Sequence, residues 1–142
     1  MTNHFGIFLP IGVLALWTMN VLLLIPIARF KAAGQGMVTA ADFRLGESAR
    51  VPDFVRLPNR NFMNLLEVPM LFYMAGITAF LTQQTDNVVM TLAWAFVALR
   101  IGHSIVHLSY NHVIHRLVLF AISNVVVSAM WVLLLYRITS LS

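Results

Sequence analysis

Arg60, Asn64 and Glu67 stand four and three residues apart in the stretch RNFMNLLEVP, and Arg100, His103 and His107 stand three and four apart in LRIGHSIVH. On an α-helix each set falls on one face, because residues three, four and seven apart share a side. Both sets sit in apolar surroundings; the first runs on through MLFYMAGITAFL with no charge until Asp86. Guanidinium, amide, carboxylate and imidazole groups arranged in this way can pair with one another, hold a polar ligand or bind a metal. The chain has no cysteine, so it carries no thiol nucleophile, thiolate metal site or disulfide framework of its own. Any sulfur chemistry has to arrive with a substrate.

The elements that position these residues are membrane helices. The 142 residues are 60% hydrophobic and only 10% charged, with a mean hydropathy of +0.84, far more apolar than a soluble domain. About 20 residues rising about 1.5 Å each cross the hydrocarbon core. Four spans meet that requirement, at about 5–28, 61–82, 88–108 and 117–136, and the expected fold is all-α, a single-domain four-helix membrane bundle over 1–142. The first span is read as a helix rather than a cleaved signal, since it lacks a basic leading segment and an obvious small-residue cleavage site.

The long first connection, 29–59, is basic and carries Gly34 and Gly36 as helix breakers. Thr39 and Asp42 in it suit a short interfacial helix, which Pro52 and Pro58 would keep from continuing. The second connection, QQTDN, has no basic residue, and the third ends against Arg116. Basic residues favour the cytoplasm, so connections one and three are expected there and both termini outside. The net charge of +4 then orients the chain in a membrane, and no nucleic-acid partner is expected.

Helical rise places the polar groups in depth. Asn64 lies about 6 Å and Glu67 about 10 Å below Arg60, while Arg100 lies about 12 Å and His103 about 7 Å before Leu108. Asn20 and Asn124 fall at similar depth on the first and fourth spans. An unpaired charge at mid-membrane costs at least about 2.5 to 3.5 kcal/mol, so Glu67 and Arg100 are expected to pair. Such a pair can simply hold helices together, and Arg60 and Arg116 can simply anchor at lipid phosphates. A metal site at His103, His107, His112 and His115 is set aside, because a turn at LSYN interrupts the set and a catalytic zinc wants three converging ligands. Ser109, Tyr110 and Asn111 read as turn residues, and FYMAG around Tyr73 as a small-residue packing surface.

Arg60, Asn64 and Glu67 followed by Pro69, together with LRIGHSIVH and Arg116, resemble the MAPEG family, the membrane-associated proteins in eicosanoid and glutathione metabolism. The likeness covers essentially the whole chain and is greatest to the microsomal glutathione transferases. It implies a homotrimer that binds glutathione between subunits near the cytoplasmic side, with a hydrophobic small molecule or lipid entering from the bilayer. Carried over residue by residue, Arg60, Asn64 and Glu67 would contribute to the glutathione site, Arg100 and His103 would flank it, and Arg116 would match the basic residue implicated in thiol activation. His107 stands where transferases commonly place a tyrosine, and it can replace that phenol as a hydrogen-bond donor. The resemblance implies a glutathione transferase or peroxidase-like enzyme. Its alternative is a non-catalytic lipid-binding or scaffold protein, since the family also contains lipoxygenase-activating proteins that do no chemistry.

Overall fold

The computed structural model describes residues 4–140 and places four long helices: α1 (Phe8–Gly34), α2 (Asp53–Leu81), α3 (Asn87–Leu108) and α4 (Val113–Ser140). Single 3-10 turns lie at His4–Ile7 and Ala40–Phe43. All four helices are long and apolar enough to cross a membrane, and no more than 39% of any span's most apolar window is buried within the chain. Apolar side chains such as Leu16, Leu23, Val125 and Val132 therefore point outward, as lipid contact requires. The chain is an all-helical integral membrane bundle.

The helices outrun the expected spans at the end that bears the first connection. α1 continues past Ala28 to Gly34, where Gly36 closes it: at φ +70 this residue takes the left-handed conformation that lets Met37 N–H reach the Ala32 carbonyl, 3.0 Å away. α2 starts at Asp53 with Pro52 as its cap and passes through Pro58, which the sequence reading had placed outside the span. A second small core explains the extension. Ala32, Val38, Val51 and Val55 are buried together with Phe43 packed against them, so contact outside the main bundle compensates for the hydrogen bond that Pro58 cannot make. The 3-10 turn at Ala40–Phe43 fulfils the expectation of a short helix near Asp42, whose carboxylate accepts from Thr39 N, Thr39 Oγ and Ser48 Oγ. These bonds, Thr39 backbone first, hold the Asp42 carboxyl below its ordinary range.

In lipid, helix association rests on packing and on polar contacts. Phe72 of α2 stacks on Phe96 of α3 at 4.7 Å, within a core that includes Leu14, Leu65, Val127 and Met130. Gly76, in the FYMAG segment, brings α2 close to α1: a Cβ there would stand 2.6 Å from Ile11 Cδ1. Trp131 Nε1 donates to the Leu71 carbonyl at 3.0 Å and ties α4 to α2.

At the far end His4 meets Thr85, and Arg137 pairs with Asp86 at 2.8 Å. Asp86 also caps α3 by accepting from Val89 N. The start of α1 and the end of α4 thus lie beside the α2–α3 turn, opposite the first and third connections.

Candidate functional site

α3 runs toward the first-connection end and delivers Arg100, His103 and His107 on one inward face. All three are buried, Arg100 completely. The Arg100 Nη2 donates to the backbone carbonyl of Asn64 on α2, and its guanidinium lies 5.9 Å from the Phe96 ring and 5.3 Å from the Phe120 ring. Such cation–π contacts let a charge sit among apolar groups at reduced cost. Its Nε and Nη1 are buried with no hydrogen-bond partner among the described residues, as are the Nδ1 atoms of His103 and His107. The two imidazoles meet edge to face at 5.8 Å.

Beside this face a cavity of about 260 Å³ opens between α2, α3 and α4. Asn64 of α2 and His103 of α3 line it together with one face of α4, on which Val113, Arg116, Leu117 and Phe120 follow at helical spacing. Arg116 belongs to the first turn of α4 and is oriented from the preceding turn: its Nη1 donates to Asn111 Oδ1 at 2.7 Å. Asn111 holds φ +48, a left-handed value that asparagine tolerates better than most residues. Asn64 Nδ2 donates to the Arg60 carbonyl at 2.9 Å. The lining thus mixes amide, imidazole and guanidinium groups with aliphatic and aromatic ones. This combination can hold an anionic or amide-bearing molecule and place an apolar reactant next to it.

The sequence-derived candidates divide on the structure. Asn64, His103 and Arg116 share the cavity, and Arg100 and His107 lie buried on the same helix face as His103. Arg60 and Glu67 are exposed on α2 and are not among the cavity's walls in one chain. The expected Glu67–Arg100 ion pair does not form: the ion pairs among the described residues are Arg29–Glu47, Arg50–Asp42 and Arg137–Asp86. α2 turns Asn61, Leu65 and Phe72 inward, and that phase leaves Glu67 on the outer side while Arg100 settles on the Asn64 carbonyl. Asn20 does not join the layer either. It is exposed and donates back to the Leu16 carbonyl, whereas Asn124 is partly buried with its Oδ1 unpartnered. Among the described residues no three His, Asp or Glu side chains gather as a metal set.

A polar junction beneath the site was not foreseen. Ser104 Oγ, fully buried, accepts from Trp17 Nε1 at 2.9 Å and from Asn61 Nδ2 at 2.6 Å, joining α1, α2 and α3 in one contact. The sequence signal was Ser104 beside His103, with Asn61 one residue after Arg60. Phe120, which stands over Arg100 and lines the cavity, carried no signal beyond its hydrophobicity.

The MAPEG family model matches residues 7–136 of the chain. No curated protein and no solved structure matches it.

Proposed function

The chain belongs to the MAPEG family, and from that premise we propose that it is a membrane-embedded glutathione transferase or peroxidase-like enzyme acting on hydrophobic electrophiles or lipid hydroperoxides. The observation that carries this reading is the mixed lining of the cavity, where Asn64 of α2 and His103 of α3 meet an α4 face that carries Arg116 among Val113, Leu117 and Phe120. Glutathione is an anionic peptide. Arginine takes its carboxylates bidentately, and asparagine both donates to and accepts from its amides. Its thiol resembles that of free cysteine, with a pKa of about 8.5, and a guanidinium in a site of low polarity favours the thiolate. Arg116 stays charged and supplies field rather than accepting the proton. The thiolate sulfur then displaces a leaving group from an electrophilic carbon, or attacks a hydroperoxide oxygen and breaks the O–O bond, while the apolar part of the lining holds the reactant.

The same reading includes assembly. Glu67 and Arg60 are exposed on the single chain, and a carboxylate facing lipid costs at least about 2.5 to 3.5 kcal/mol. A neighbouring copy that covers this face of α2 would relieve the cost and bring Arg60 and Glu67 to a shared site. The family resemblance favours three copies. The first and third connections face the cytoplasm in this reading, following the basic residues of 29–59. Val68, between Glu67 and Pro69, and His107, in the place of a tyrosine, are the features that favour a non-catalytic lipid-binding role. Calorimetry with glutathione on the purified protein in detergent tests the proposal: saturable binding is expected, and its absence would leave the lipid-binding role.

A further inference from the structure

α1, α2 and the end of α3 leave a crevice of about 410 Å³ that shares no lining residue with the Arg116 cavity. That is within the range of about 300 to 1,000 Å³ typical of small-molecule sites. Its walls are Leu24 and Ile27 of α1, Phe54 and Leu57 of α2, and Leu108 of α3, so almost every surface within it is hydrocarbon or aromatic. Lys31 stands at its first-connection end, one turn beyond Ile27 along α1. Lys31 takes part in none of the ion pairs among the described residues, whereas the neighbouring Arg29 is held by Glu47 at 3.5 Å and covered by the Phe43 ring. Ser109 also lines the crevice, but its hydroxyl donates inward to the Ile105 carbonyl at 2.6 Å. Among the described residues Lys31 is therefore the one cationic side chain lining it, placed where an apolar span gives way to a polar connection.

A groove of this make suits an amphiphile with a long hydrocarbon chain and a negative head at the depth of the membrane surface. Basic pockets between transmembrane helices hold lipid head groups by the same arrangement. We propose that this crevice is a binding site for an anionic phospholipid of the leaflet on the first-connection side, with one acyl chain between Ile27, Leu57 and Leu108 and the phosphate on Lys31. A phospholipid is favoured over a free fatty acid because bilayer lipid already surrounds the crevice at this depth and needs no delivery. The site is separate from Asn64, His103 and Arg116 and does not depend on the thiol reading.

The test is native mass spectrometry of the assembled protein, released from mild detergent after exchange with phosphatidylglycerol, phosphatidylcholine of the same chains, or oleate. One lysine at a phosphate surface corresponds to a preference of about five-fold for phosphatidylglycerol over phosphatidylcholine. Lys31→Glu should abolish that preference and turn it toward phosphatidylcholine, and Leu57→Trp, which fills the crevice, should reduce retention of both. An unchanged preference in Lys31→Glu would overturn the site, as would retention of oleate ahead of either phospholipid. Dissociation of the assembly by Leu57→Trp, with lipid retention unaltered, would show a second copy seated in the crevice and would overturn it equally.

Discussion

Replacing Arg100 with methionine separates the cost of a buried charge from its use. The native guanidinium makes one hydrogen bond to the Asn64 carbonyl, worth about 1.5 to 3 kcal/mol for a charged donor. It also makes two ring contacts, worth about 0.5 to 1 kcal/mol each even without full desolvation. Against these stand the several kcal/mol lost on desolvating an ion and two nitrogens left without partners. The terms nearly cancel. Methionine fills similar space with no charge, and Arg100→Met breaks none of the ion pairs among the described residues. Thermal or denaturant unfolding in detergent should therefore place the apo variant within about 1 kcal/mol of wild type or above it. Ligand response should change instead. Glutathione at 100 times its wild-type Kd stabilises by about 2.7 kcal/mol, and a ten-fold weaker site at the same concentration gives about 1.4 kcal/mol. A variant destabilised by more than about 3 kcal/mol, with its glutathione response intact, would show that Arg100 is a structural tie and refute this reasoning.

Ser104→Ala should cost about 1 to 3 kcal/mol in unfolding experiments, since it strands the Trp17 indole and leaves the Asn61 amide only its longer bond to the Ser104 carbonyl, at 3.4 Å; a loss under about 0.5 kcal/mol would mean that the indole finds another acceptor. Gly76→Leu should lower the melting temperature sharply by forcing α1 from α2, whereas Gly76→Ala should be absorbed largely by rotation of Ile11, whose terminal methyl is the nearest atom; equal effects would contradict the close approach. The Asp86 carboxyl is held below its ordinary range, first by the Arg137 hydrogen bond, so its contribution is present above the unfolded-state value and is lost as pH falls through the lower folded value. Asp86→Asn keeps a capping acceptor but loses the ion, and hydrogen exchange at the α2–α3 turn should rise in wild type below about pH 4 and lose that acid step in the variant.

The apolar runs and the i, i+3, i+7 spacing of Arg100, His103 and His107 were enough to place four helices and one polar face, because length and periodicity express both directly. Spacing does not say which face turns inward. On α2 the register that buries Asn61 leaves Glu67 outside, and a reading that counted depth alone put Glu67 opposite Arg100. α1 is apolar on nearly every side, so nothing in its pattern shows that Asn20 points away from the layer. The helical extensions of α1 and α2 beyond the expected spans were hidden for a different reason. Val38 and Val51 lie in a segment dominated by charged and turn residues, and only the folded connection reveals that they close a second core with Ala32 and Val55. The Asn111 contact that aims Arg116 was equally hidden, since an asparagine in a turn already had a sufficient role there.

The central claim, that the cavity holds glutathione as a thiolate beside Arg116, is tested most directly by ultraviolet thiolate absorbance of the glutathione-saturated protein titrated against pH. The account predicts that bound thiolate forms well below the pH of about 8.5 at which a free thiol is half ionised, and that Arg116→Ala moves the titration back toward it while assembly is kept. A titration that is the same for wild type, Arg116→Ala and free glutathione would contradict it, and Arg116 would then be an anchor at the membrane edge.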